Sequence, residues 1–116
     1  LKDIEGFDTF ACPLPAERVY WRVPLRLTTE RVGTADSVIN RFHRSGCPVI
    51  MEKSRRLVHQ HNAITDFYGV RAKGPFPVSE QMTKDTVLLN AFSFIHDNAA
   101  ERALETLRAI SLGTAK

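Results

Sequence analysis

The clearest hydrophobic pattern in the chain lies near its C-terminus. Apolar side chains recur there at three- and four-residue spacing through residues 99–110, and charged side chains fill the positions between them. This spacing places the apolar residues on one face of an α-helix. Asp97 is favourable at the positive end of a helix dipole, and Gly113 is typical of the residue after a last turn. We therefore predict a helix that begins at Asp97-Asn98 and ends before Gly113.

A second, narrower helical stripe lies between residues 34 and 46. Its apolar positions fall at 38, 39 and 42, on one side of a helix. Thr34 or Asp36 can cap the free N–H groups at its start, and Gly46 can supply the left-handed residue at its end. The sequence therefore predicts a helix over this segment.

The residues between these two helices are rich in β-branched and aromatic side chains. We predict strands at 49–59, 64–73 and 87–95, with a polar hairpin loop at 59–62 and a long loop at 75–85. The order helix, three strands, helix predicts an α+β fold. In it, a three-stranded antiparallel sheet carries both helices on one face.

The first 33 residues precede this pattern, and we interpret them as an N-terminal extension of a domain spanning 34–113. Residues 1–16 show no periodicity. Arg18 to Thr29 alternates, with apolar side chains at the odd positions from 19 to 27. Because Pro24 cannot donate to a β-ladder, this segment is expected to be an edge strand or an extended arm that covers the domain.

Composition places the chain among folded proteins of one domain. It has 116 residues, of which 43% are hydrophobic and 25% charged, as in ordinary globular domains. No apolar run approaches the roughly 18 residues that a membrane span requires, so no membrane partner is expected. Two cysteines, Cys12 and Cys47, do not make a disulfide framework. This favours a reducing, intracellular compartment, which can be nuclear, cytoplasmic or mitochondrial.

The positive charge is concentrated in the middle of the chain. The net charge is +3, but residues 41–73 hold seven basic and two acidic residues, a net of +5, whereas residues 1–30 have a net of −1. Such a distribution is compatible with a polyanionic partner.

Three short motifs occur in the order helix, hairpin loop, helix. Ser37-Val-Ile-Asn-Arg-Phe42 fills the first predicted helix, His61-Asn62 the hairpin loop, and Asn98-Ala-Ala followed by Ala-Leu-x-x-Leu the last helix. Together they resemble the double-stranded RNA-binding domain over about residues 34–113. The resemblance implies an α-β-β-β-α fold that recognises duplex RNA by shape rather than sequence.

The resemblance also implies where RNA would bind. Asn40, Arg41 and Arg44 lie on the first helix, His61 and Asn62 in the loop, and His96 before the second helix. The lysines that the family carries before its second helix fall on Phe92, Ser93 and His96. Because phosphate neutralisation supplies most sequence-independent affinity, we expect weakened RNA binding. Lys53, Arg55 and Arg56 in the first predicted strand are candidates to replace the missing lysines.

The missing lysines also favour a second use of the same fold, as a protein-binding or dimerisation module. Phe92 and Phe94 flank Ser93 in the third predicted strand, where they either present aromatic rings or fill the core. Tyr20 and Trp21 make the N-terminal segment rich in aromatic residues, and such a strand can extend a sheet edge. These four aromatic residues are the candidate protein contacts, with a homodimer as one possibility.

A third interpretation is a small ferredoxin-like domain whose first strand is Arg18–Thr29. The pairing of that segment decides between the alternatives, because a central position in the sheet excludes the RNA-binding-domain arrangement.

The sequence offers no catalytic constellation. Its acidic residues are scattered, its glycines do not cluster, and His96-Asp97 has no identifiable serine or cysteine beside it. His59 and His61 can meet a metal only together with Cys47 or His43, and a polar hairpin loop is the simpler interpretation. We therefore predict a non-catalytic module, without metal or cofactor, of a larger RNA-processing protein or complex. Any enzymatic activity, such as that of an RNA helicase or nuclease, would lie elsewhere in that protein.

Overall fold

An antiparallel β-sheet and a set of short helices make up the part of the chain that the computed structural model describes, residues 3–17, 21–54, 57, 61–68 and 75–113. The strands are β1 (Phe7–Thr9), β2 (Arg22–Leu27), β3 (Met51–Lys53) and β4 (Thr86–Asn90). The helices are α1 (Thr29–Val32), α2 (Ala35–Arg44), α3 (Asn62–Tyr68), α4 (Pro77–Asp85) and α5 (Ala99–Ser111), and a 3₁₀ helix (Ala91–Ile95) connects β4 to α5. The chain is therefore an α+β protein.

The four strands lie in the order β1-β2-β4-β3, and all neighbours are antiparallel. Because β2 and β3 are both antiparallel to β4, they are parallel to each other. They are connected through α1 and α2, and β4 lies between them, which is a split β-α-β arrangement. The sheet thus has four strands rather than the predicted three.

The segment predicted to be an edge strand or arm is β2, one of the two interior strands of the sheet. This interior position differs from the predicted α-β-β-β-α arrangement, in which the segment lies outside the sheet or at its edge. Pro24 is tolerated because its nitrogen, which cannot donate a hydrogen bond, points away from β4. The alternation that shows this is set by the N–H of Ala91, which donates to the carbonyl of Trp21 at 3.2 Å. In an antiparallel ladder this places the backbone groups of odd-numbered β2 residues toward β4. The nitrogen of Pro24 therefore faces β1, which has already ended at the pair Thr9–Leu25.

Three other predictions of local structure are wrong. The described part of the predicted strand 64–73 belongs to α3, and α4 occupies most of the predicted loop 75–85, with Pro77 in its first turn, where proline is well tolerated. The predicted strand 87–95 ends at Asn90. The Asn90 side-chain oxygen accepts a hydrogen bond from the N–H of Phe92 at 3.0 Å and so turns the backbone out of the ladder.

Both predicted helices are confirmed. Thr34 caps α2, and its hydroxyl accepts a hydrogen bond from the Ser37 N–H at 3.3 Å. Gly46 follows α2 and Gly113 follows α5, both with left-handed backbone (φ 74° and 75°). Neither these helices nor any other in the described ranges is long and apolar enough to cross a membrane.

One hydrophobic core joins the sheet to α2 and α5. Some core residues come from the first 33 residues of the chain. They pack with the apolar stripes of both helices and with the inward side chains of β3 and β4. Those N-terminal members are Ile4, Phe7, Leu25, Leu27 and Val32. Residues 1–33 therefore build part of the core and do not only cover it.

Candidate interaction surface

Two exposed aromatic rings meet where β2 begins and β4 ends. Trp21 is 65% exposed and Phe92 is 59% exposed. Their ring centroids lie 5.0 Å apart at an interplanar angle of 87°, which is the favourable edge-to-face geometry. These two rings are the centre of the candidate surface.

Two further exposed apolar residues lie at the same end of the sheet as this pair. Ile95 lies three residues after Phe92 in the 3₁₀ helix, and residues at this spacing are stacked on one side of such a helix. Ile50 is joined to the same region because its N–H donates to the Ser93 hydroxyl at 3.1 Å, and its carbonyl accepts from the Asn90 N–H at 2.9 Å. Trp21, Ile50, Phe92 and Ile95 are together called the Trp21 patch.

The 3₁₀ helix decides which aromatic residue is exposed. Ser93 is buried and hydrogen bonded to Ile50, and Phe94 is half-buried against the core. Phe92 and Phe94 therefore do not share one face, as alternation in a strand would require. Phe92 belongs to the surface and Phe94 supports the core. Tyr20, the remaining aromatic candidate, lies outside the described residues.

On α2, two of the predicted RNA contacts are exposed. Asn40 and Arg44 lie one helical turn apart on the solvent side of the helix, away from the buried Val38 and Phe42. The two side chains can therefore reach one ligand together.

Arg41 has a structural environment that the sequence does not indicate. It is half-buried, and its guanidinium donates a hydrogen bond to the carbonyl of Val32, the last residue of α1. A cation at the C-terminal end of a helix also complements the negative end of the helix dipole. Arg41 therefore connects α1 to α2.

The other RNA candidates lie on several different elements. Of these, Lys53 forms an ion pair at 3.2 Å with Asp36, one helical turn before Asn40 on α2. His61 and Asn62 lie at the start of α3 rather than in a β-hairpin, and His96 is exposed between the 3₁₀ helix and α5. Arg55 and Arg56 lie outside the described residues, as do Arg71 and Lys73, which also contribute to the central charge.

Sequence reasoning missed the contribution of Ile50 and Ile95 to the Trp21 patch. Ile50 stands beside the buried Val49 in an apolar run, and Ile95 ends a stretch that reads as a buried strand. Neither has a polar or turn signal that predicts its exposure. The end of β4 at Asn90 and the 3₁₀ helix that follows bring them to the same end of the sheet.

Within the described ranges, no group of three or more His, Cys, Asp or Glu side chains can hold a metal ion. His59, one of the potential ligands, lies outside those ranges. Neither Cys12 nor Cys47 forms a disulfide. No protein-family model, curated protein or solved structure gives a significant match to the chain.

Proposed function

We propose that this chain is a non-catalytic module that binds another protein through the Trp21 patch. The observation that carries this proposal is the exposed edge-to-face pair of Trp21 and Phe92. Aromatic side chains, tryptophan above all, dominate the binding energy of protein interfaces. An exposed cluster of apolar residues in an otherwise folded domain is typical of such an interface.

The composition of the Trp21 patch indicates what it binds. All four members are apolar, so a partner gains by burying its own apolar side chains against the two rings. The indole N–H of Trp21 adds one hydrogen-bond donor, which can orient a backbone carbonyl of the partner. A polypeptide segment with large apolar side chains fits this surface.

Site-specific photocrosslinking tests this function. With p-benzoylphenylalanine replacing Phe92, irradiation in the native host is expected to attach one defined polypeptide to the chain. Trp21→Ser is expected to remove that product, because truncating an interface tryptophan weakens binding by about 30-fold or more. Mass spectrometry of the crosslinked band identifies the partner, and a band at twice the mass of the chain indicates a second copy.

Leu14 provides the matched control. It is 94% exposed and lies outside the Trp21 patch, so the photoreactive residue at position 14 is expected to give only diffuse background. Leu14→Ser is expected to leave the product at position 92 unchanged. If positions 14 and 92 give the same background, the proposed function is contradicted.

RNA binding is a second candidate function, favoured by the exposed pair Asn40 and Arg44 together with the central positive charge. We expect a duplex of about 20 bp to bind weakly at low ionic strength in a fluorescence anisotropy titration. Arg44→Gln is expected to make the plot of log binding constant against log salt concentration less steep. The slope changes by roughly 0.9, because one phosphate-neutralising cation is lost. Arg108→Gln, on α5, is the control that should leave the slope unchanged. Absence of salt-dependent binding by the folded protein would eliminate this candidate.

A further inference from the structure

A cavity lies between α4 and the outer face of the sheet, the face opposite α2 and α5. Arg26 of β2 and Thr86 of β4 belong to this face, because they alternate with the buried core residues Leu25 and Val87. Helix α4 crosses above them. The space between is separate from the Trp21 patch, at the other end of β2.

The cavity has the size of a small-molecule site. It consists of two neighbouring pockets of about 400 and about 410 Å³. Phe10, Met82 and Thr86 line both pockets. Sites for small ligands typically measure about 300–1,000 Å³ and are mainly apolar.

Helix α4 does not fill this space with its own side chains. None of its residues is buried, although Val78 and Met82 line the cavity. Met82 remains 46% exposed while it lies between the helix and the sheet. The helix therefore stands over the sheet without close packing, and it leaves room for an occupant.

One buried polar atom in the wall of the cavity lacks a partner. The hydroxyl oxygen of Thr86 is fully buried and makes no hydrogen bond. Buried hydroxyl groups in native proteins are nearly always hydrogen bonded, so an orphan that lines a cavity indicates a missing partner. Thr86 is 7% exposed as a residue, so solvent does not satisfy it.

A cation lies directly beside this hydroxyl. Arg26 is the cross-strand partner of Thr86, and side chains at such positions have their Cβ atoms about 4.5–5.5 Å apart on the same face. Two carboxylates face the same region, Asp8 opposite Arg26 on β1 and Asp85 at the end of α4. Asp85 accepts a hydrogen bond from the Gln81 amide at 2.8 Å, and within the described ranges no ion pair joins Arg26 to either carboxylate.

We propose that this cavity binds a small, mainly apolar carboxylic acid. The ligand carboxylate accepts hydrogen bonds from the Arg26 guanidinium and, once the Thr86 side chain rotates toward the cavity, from the Thr86 hydroxyl, which satisfies the buried oxygen and pairs the cation. The hydrocarbon part lies against Phe10 and Met82, where α4 leaves apolar surface open. This site is independent of the proposed protein-binding function.

Isothermal titration calorimetry with octanoate tests the proposal on the intact chain. Octanoate is expected to bind saturably with one molecule per chain, whereas 1-octanol, which lacks the charge, binds about tenfold more weakly. Thr86→Val keeps the shape and removes the hydroxyl, and Arg26→Met removes the cation. Each substitution is expected to weaken the binding of octanoate by about tenfold. Met82→Trp fills the cavity and is expected to abolish binding.

Two control variants separate this site from general surface effects. Thr28→Val and Arg108→Met change the same residue types at exposed positions outside the cavity and are expected to leave octanoate affinity unchanged. Thr86→Val is also expected to raise the melting temperature, because it removes an unsatisfied buried hydroxyl. Its loss of affinity therefore cannot come from unfolding. Equal affinities for octanoate and 1-octanol, or no saturable octanoate binding at millimolar concentration, would overturn the proposal.

Discussion

Replacing Leu25 with alanine is expected to lower the free energy of unfolding by about 2–5 kcal/mol. Leu25 is completely buried in β2, between Thr9 of β1 and Val87 of β4. Because β2 is held between β1 and β4, the structure cannot collapse into the cavity that the shorter side chain leaves. Urea unfolding of the two proteins, followed by circular dichroism, measures the difference.

Leu14→Ala makes the same chemical change at an exposed position and is expected to alter stability by less than about 0.5 kcal/mol. Deleting residues 1–30 removes β1 and β2 and is expected to abolish cooperative unfolding. A truncated chain that still unfolds cooperatively, together with a Leu25→Ala effect as small as that of Leu14→Ala, would show that β2 is an arm.

Replacing Gly6 with alanine is expected to lower the free energy of unfolding by about 2–4 kcal/mol. Gly6 has a positive φ of 93°, a conformation that L-residues with a Cβ adopt at a cost. An added Cβ would also overlap the Cγ1 atom of Val32, which is buried at the end of α1. The Gly6 carbonyl accepts a hydrogen bond from the Thr28 N–H at 2.9 Å, so the backbone cannot easily move away. Thermal and urea unfolding measure this loss.

Gly113 is the matched control for Gly6. Its φ of 75° is also positive, but an added Cβ there has no heavy atom within 4 Å. Gly113→Ala is therefore expected to lower the free energy of unfolding only by the cost of placing a residue with a Cβ in the left-handed conformation, about 1–2 kcal/mol. The double variant Gly6→Ala/Val32→Ala removes the overlap, and less destabilisation than the sum of its single variants is expected. Equal losses for Gly6→Ala and Gly113→Ala would contradict the close contact between Gly6 and Val32.

The two helices that the sequence predicts correctly are those whose signals are local. The stripe of α5 and the capping of α2 by Thr34 depend on residues within a few positions of one another. Such signals act before any distant part of the chain is in place. They are therefore visible in the sequence alone.

The strands were harder to predict because their partners are distant. Pro24 indicates an edge strand when β2 is considered alone, and only the early end of β1 makes it acceptable inside the sheet. The β-branched residues of 64–73 favoured a strand, but their described part is helical in α3. In both cases the tertiary environment overrides the local preference.

At the candidate surface, too, the sequence identifies residue types, but only the tertiary structure shows which of them lie together. Trp21 and Phe92 stand out as aromatic residues in the sequence, but their contact joins positions 71 residues apart across β2 and β4. Arg41 reads as one more basic residue of α2, whereas its bond to Val32 makes it part of the scaffold. The buried hydroxyl of Thr86 and its neighbour Arg26 have no sequence signal, since only the strand register pairs them.

The amino-acid order alone thus determined the α+β class, both long helices with their ends, and the concentration of positive charge in the middle of the chain. These properties depend on periodicity and composition, which act over one or two helical turns. The tertiary structure alone decided that β2 is an interior strand, that Phe92 is exposed while Phe94 is half-buried, and that α4 leaves a cavity over the sheet. Alternation specifies which face of a strand is buried, but it does not specify which strand lies beside it. That choice is made by packing between distant segments.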